Sequence, residues 1–197
     1  KAAPHIGGTN QHKPAGFNFL EHGLKPIRIH IWHDWIFLNF NGKAKKFEEY
    51  AKPLIKRFND IDLTKLKYVA TLDFGKINTN WKFLIENFIE PYHVQFVHKT
   101  TTNQPLKDHY IFVDGKCYGS GIDVEKEDAK NDSALSVTSR YLSLFPNFII
   151  GTYFPNQVGV YLNIPISPGV TSQKRIIYTT DSKEMTKKKI KKTKDIW

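Results

Sequence analysis

Asn80 to His98, reading NWKFLIENFIEPYHVQFVH, constrains this chain more than any other stretch. Trp81, Leu84, Ile85, Phe88, Ile89 and Tyr92 recur at the spacing of one apolar helix face, which predicts a helix anchored in a core. Glu86, Glu90 and His93 fall off that stripe. A carboxylate three residues before a histidine, with a second histidine five further on, supplies the donors and the supporting hydrogen bond that a divalent metal takes. On the residues alone, ordinary helix-end histidines beside solvated glutamates are the competing reading. Geometry also weighs in, because at about 100° per residue His93 and His98 stand roughly 140° apart on a straight helix. Pro91 lies between Glu90 and His93, removes a backbone hydrogen bond and crowds the preceding turn, so a kink or helix end is expected there, one that lets the imidazoles converge.

With 40% hydrophobic and 14% aromatic residues in 197, the chain has the material for a sizeable core. No apolar run approaches the roughly 20 residues of a membrane span, and Lys1 opens no signal pattern, so a soluble, cytoplasmic protein is the expectation. The formal net charge of +10 invites a nucleic-acid partner. Outside the C-terminal run, however, the lysines are dispersed and no recognition motif accompanies them, so no nucleic acid is expected. The single cysteine, Cys117, excludes an internal disulfide and any site built on a cysteine pair.

Residues 1 to 24 lack periodicity and read as loop, with His5, His12 and His22 at irregular spacing that suits ordinary histidines rather than a metal site. Pro26 to Asn41 alternates and then breaks at His33-Asp34, which predicts two antiparallel strands. Lys43 to Phe58 has helical spacing limited by Pro53. Leu66 to Ile77 reads as a strand leading into the central helix, capped by Asn78 or Asn80. Beyond His98, strand-like runs occur at His109 to Val113, Lys116 to Ile122, Arg140 to Thr152, Val158 to Ile166 and Lys174 to Thr179. Their alternation suits a sheet with one buried face, and their short connections make it antiparallel with the helix packed across it, an α+β fold. Asp181 to Trp197 reads as a terminal helix whose lysines are a solvated face or a docking face for an acidic redox partner.

Asn80-Trp81-Lys82, Glu86-Asn87-Phe88, Glu90-Pro91-Tyr92-His93 and His98 together resemble the N-W-K, E-N, [D/E]-x-Y-H-x4-H signature of Rieske non-haem iron ring-hydroxylating oxygenases, in the catalytic domain of the alpha (large) subunit. HGLKPIRIHIWHDWIFLNFNGKAKKFEEY resembles the end of that family's Rieske β domain and its passage into the catalytic domain. The resemblance implies a helix-grip fold, with an antiparallel sheet wrapping an iron-bearing helix. It divides the chain into residues 1–45, the end of a Rieske domain, and 46–197, an incomplete catalytic domain.

By the same resemblance, His93 and His98 are the imidazole ligands of a mononuclear Fe(2+), and Glu90 is the carboxylate that links a neighbouring subunit's cluster histidine to the iron-ligating histidine. The implied activity is a terminal oxygenase, a dioxygenase or monooxygenase that uses O2 to hydroxylate a small organic substrate. Electrons come from NAD(P)H through a reductase or ferredoxin, and the intact protein is a homotrimer. Glu at position 90 resembles the carnitine and choline type of monooxygenase and tilts the reading from arene dihydroxylation towards monooxygenation or demethylation.

Two features depart from the family pattern. The C-x-H…C-x2-H set for a [2Fe-2S] Rieske cluster is absent, and of the late aspartates neither Asp181 nor Asp195 matches the third-ligand context. A fragment bounded by the cluster loop and the last ligand, inactive by itself, is expected. The alternative from a different class is a helix-grip carrier of small hydrophobic ligands, and diverging imidazoles would favour it.

Overall fold

The computed structural model describes residue 18 and residues 20–98, 106–123, 138–154 and 157–180. The terminal helix expected over 181–197, with Asp181 and Asp195, lies outside the described residues, as do His5 and His12. Two compact units divide the chain, Lys1–Ala44 and Lys45–Trp197.

In the first unit, β1 (Arg28–Trp32) and β2 (Trp35–Asn39) pair as an antiparallel hairpin whose last register pair is Trp32 with Trp35. The turn between them puts His33 in the left-handed region, at φ 55°. Arg28 donates to the carbonyls of Gly42 and Ala44, each at 2.9 Å, and fastens the chain that follows β2.

The second unit opens with two short helices, α1 (Phe47–Tyr50) and α2 (Lys52–Arg57), rather than one, with Pro53 in the first turn of α2, where its missing N–H costs nothing. A seven-stranded antiparallel sheet follows: β3 (Lys67–Ile77), β4 (Tyr110–Asp114), β5 (Cys117–Ile122), β6 (Ser139–Leu144), β7 (Phe148–Phe154), β8 (Gln157–Ser167) and β9 (Val170–Thr179). Their order is β3-β9-β8-β7-β6-β5-β4. The Arg140 to Thr152 run expected as one strand is thus a hairpin, β6 and β7, turned at Phe145–Asn147.

That order fixes where the site lies. β3 and β4 are consecutive in sequence yet occupy opposite edges, so their connection must travel about 29 Å, six strand spacings, across one face. The connection contains α3 (Trp81–Ile89) and α4 (Val94–Val97). Ile85 and Phe88 of α3 are buried against Tyr141, Ile149 and Tyr161, with Trp81, Ile89 and Tyr118 around them. Phe88 meets the Tyr141 ring edge-on at 5.7 Å and the Tyr161 ring at 4.8 Å. The helix packed across an antiparallel sheet is the expected α+β, helix-grip arrangement.

The opposite face is also covered. Arg140, whose side chain alternates with Tyr141, pairs with Asp60 through two bonds of 2.9 and 2.6 Å and lies over the Phe58 ring. The centre of the sheet is therefore buried on both faces, not on one as the alternation predicts, and all of Gln157–Tyr161 is buried. The outer half of β8 is mostly exposed.

Candidate metal centre

Both ends of α3 are tied to the sheet. Asn80 caps its start by accepting from the Lys82 N–H at 3.0 Å, and it also donates to the Pro168 carbonyl at 2.7 Å. Thr171 donates to the Thr79 carbonyl at 2.9 Å. At the far end the Ser120 hydroxyl donates to the Ile89 carbonyl. Between these anchors the helix is nine residues long, shorter than the apolar stripe predicts, and Tyr92 is 64% exposed rather than part of the buried face. The cause is Pro91. A residue before proline is driven out of the helical region, and Glu90 stands at φ −87°, ψ 132°.

This break brings the histidines together. After Pro91 the chain restarts as the single turn α4, with His93 as its N-cap and His98 as its C-cap. Val97 N–H donates to the His93 carbonyl at 2.7 Å and His98 N–H to the Val94 carbonyl at 3.0 Å. The two imidazoles lie 5.2 Å apart between ring centroids, at 71° to one another. Five residues that would splay the rings on a straight helix flank one short turn instead.

Glu90 grips His93 twice. One carboxylate oxygen contacts Nδ1 and the other accepts from the His93 backbone N–H at 3.2 Å. With a carboxylate on Nδ1, the neutral ring carries its hydrogen there and keeps a lone pair on Nε2. That Nε2 is buried and has no hydrogen-bond partner, as a ligand atom awaiting a metal would be. Burial first, and then the charge of His93, lowers the pKa of His98, favouring the neutral form that binds metals. The residues present therefore fit a divalent ion held by two imidazoles.

Among the described residues, no group of three or more His, Cys, Asp or Glu gathers in a way that could hold a metal ion. Glu86 is exposed and does not join the site. Cys117 is buried in β5 and burial pushes its thiol up to about 12, the opposite of a ligand thiolate. Among the aromatics near the site, Tyr141 is buried, whereas Phe83 and Phe96 are exposed. Ser120, which anchors the end of α3, carries no sequence signal. Its part depends on register.

A family model described as ring hydroxylating alpha subunit, catalytic domain, matches residues 57–195. The terminal oxygenase component subunit alpha 2 of terephthalate 1,2-dioxygenase from a Comamonas species is 25% identical over 212 residues, covering 90% of this chain and 51% of that protein. The large oxygenase component of salicylate 5-hydroxylase from a Ralstonia species is 31% identical over 94 residues, covering 47% of this chain and 22% of that protein. The chain thus spans about half the length, or less, of these relatives. Its fold matches a crystal structure of a quaternary ammonium Rieske monooxygenase with a TM-score of 0.70 at 17% identity, over 91% of this chain and 48% of the other. The chain belongs to the family of ring-hydroxylating oxygenase alpha subunits, by its catalytic domain.

Proposed function

We propose that this chain holds the oxygen-activating centre of a terminal oxygenase acting on a small organic substrate, with His93 and His98 as ligands of a mononuclear ferrous iron. The observation that carries the reading is the His93 ring, held at Nδ1 by Glu90, with a buried, unsatisfied Nε2 and the His98 ring 5.2 Å away between centroids. Bound ferrous iron would supply the activation of dioxygen beside the substrate. The chain's own residues do the rest. Glu90 keeps His93 in one tautomer and orientation, and the short turn sets the spacing of the rings.

The exposure of Glu90 supports a bridging role. Its side chain is 38% exposed against 14% for His93, so the carboxylate runs from the buried ring towards the surface. Inter-subunit electron transfer is described for a quaternary ammonium Rieske monooxygenase of similar fold. In the same way, a [2Fe-2S] cluster of a neighbouring subunit would deliver electrons to Glu90, replenished from NAD(P)H by a reductase or ferredoxin, in a homotrimer. The 197 residues contain one cysteine, so the two-cysteine, two-histidine set of such a cluster is not among them. Residues up to 44 or 45 would be the end of the cluster domain, and the division at Ala44 supports that reading. The proximity of the two imidazoles counts against the carrier alternative.

Metal analysis and single-turnover reduction test the proposal. His93→Ala should lose iron, and Glu90→Gln should keep iron but slow its reduction by the electron donor. Equal iron content in wild type and His93→Ala would overturn the ligand assignment, and unchanged reduction in Glu90→Gln would overturn the bridge.

A further inference from the structure

β4 is the last strand in the sheet order, and among the described residues no strand pairs with its outer side. Such an edge templates another strand unless charge, proline or a bulge blunts it. Elsewhere the sheet is blunted in this way. β3 carries Lys67, Asp73 and Lys76, and its register with β9 shifts between Tyr68 and Ala70 and again between Asp73 and Gly75. β8 runs past the start of β7 and has Pro165 in the part that does so. β4 reads Tyr-Ile-Phe-Val-Asp, with no lysine, no proline and no register shift against β5. Its Ile111 and Val113 are 72% and 78% exposed.

The turn after β4 fixes which backbone groups this edge offers. Gly115, at φ 59°, and Lys116 join Asp114 to its register partner Cys117 as a tight hairpin turn. In such a turn the first residue's carbonyl accepts from the last residue's N–H, here Asp114 from Cys117. Backbone groups alternate in direction along a strand, so Tyr110 and Phe112 also bond towards β5, and the N–H and C=O of Ile111 and Val113 point outward. That set is self-complementary. With two copies laid antiparallel about an axis at Phe112, Ile111 of one exchanges both hydrogen bonds with Val113 of the other, and every outward group is met. The side chains match as well. Ile111 falls opposite Val113 on the face that carries Ser120 and Tyr118, and Asp114 falls opposite Tyr110, so no like charges are opposed within the pair.

We propose that β4 is a contact between copies of this chain, in which two β4 strands pair antiparallel about Phe112 and join the two sheets into one. The occupant is a second copy because the register closes on itself. A strand of five residues buries less than a standard interface, so the association is weak and depends on concentration. A two-fold contact of this kind combines with a three-fold assembly rather than competing with it, and it stands independently of the oxygenase reading.

The test is sedimentation of the 197-residue chain at concentrations up to about 500 µM. At the top of that range the wild-type mass should be twice that of Val113→Lys, which sets a charge opposite Ile111 and should weaken association about tenfold or more. Ile111→Pro removes an outward N–H without touching the ladder to β5, and should weaken association likewise at an unchanged thermal midpoint. Phe112→Cys should cross-link to its own copy under mild oxidation, because opposed residues that exchange no hydrogen bonds stand about 4.5 Å apart at Cα, whereas Ile111→Cys should not. If Phe112→Cys does not fold, Val113→Lys and Ile111→Pro decide. Equal masses for wild type and Val113→Lys at every concentration, or association that both substitutions leave within about twofold, would overturn the proposal. An edge that binds an extended peptide but never its own copy would overturn it too, and would assign β4 to a different partner.

Discussion

The two faces of the seven-stranded sheet are built from alternate residues of the same strands, yet they differ in kind. The face towards Phe58 carries Leu142, Leu144, Ile150, Val158 and Val160, all 4% exposed or less. The face under α3 buries Ser120, Ser143, Asn163, Thr171 and Arg175 as fully, among Tyr141, Ile149, Tyr161 and Ile177. Aliphatic contact holds the sheet on one side. On the other, buried polar groups carry a desolvation cost that hydrogen bonds only partly offset, as with Gln173 donating to Asn163 at 2.9 Å while the Asn163 Nδ2 has no partner. A sequence spends stability in this way where it keeps a surface for chemistry. The Phe58 face is mainly aliphatic, apart from Arg140 and Thr152, whereas the face under α3 mixes an aromatic core with buried polar groups and carries the helix that leads to His93 and His98.

The comparison breaks most visibly at Leu142, which is fully buried in a row with Ile150 and Val160. Leu142→Ala should cost about 2–5 kcal/mol in denaturant unfolding, because the cavity cannot refill from a sheet already paired on both sides. Iron per folded chain should stay at the wild-type value, since the site is on the other face. A loss below about 1 kcal/mol would show that the aliphatic face is not the main support of the fold.

Some of this contrast is readable in the sequence and some is not. Pro91 announces the break that lets His93 and His98 meet, because the restriction on the residue before a proline is local and strong. The same rule ends the apolar stripe early and leaves Tyr92 exposed, although its spacing continues the helix face. The Arg140 to Thr152 run hides its turn, since Phe145-Pro146-Asn147 sits inside an apolar stretch whose composition suits one long strand. Ser120 looks ordinary in sequence. Its place under the end of α3 follows from register between strands far apart in the chain, which periodicity within one strand does not encode.

Cys117 offers a second way to sharpen the comparison, with a smaller effect. It lies on the aliphatic face, opposite Leu144 in register, and burial pushes its thiol from 9.0 up to about 12. The unfolded chain ionises this thiol near its ordinary value while the folded chain holds the proton, so the folded state binds more protons between pH 9 and 12. Its contribution to stability is complete below pH 9 and is lost as pH rises through that window. One unit of pH above 9 removes about 1.4 kcal/mol, and Cys117→Ala should flatten the alkaline slope by one proton. At pH 8, iodoacetamide should label the thiol only as the protein unfolds. Labelling of the folded protein would place Cys117 outside the sealed face.

The smallest effect is the most discriminating between the faces, because two serines of the polar side differ only in whether the hydroxyl is used. Ser120 donates to the Ile89 carbonyl and holds the end of α3, whereas the Ser143 hydroxyl is buried without a hydrogen-bond partner. Ser120→Ala leaves a carbonyl unsatisfied at the end of α3 that leads to the proposed metal centre and should cost about 1–2 kcal/mol, with weaker iron retention as α3 frays where it leads into Glu90. Ser143→Ala removes an orphaned hydroxyl and should leave stability within about 0.5 kcal/mol of wild type, or raise it. Denaturant unfolding of the pair, read with iron content, tests whether the polar face is an integrated hydrogen-bond network or a surface on which only selected groups bear on the fold. Equal losses from the two substitutions would mean that Ser143 has acquired a partner through water, and the cost assigned to the polar face would shrink accordingly.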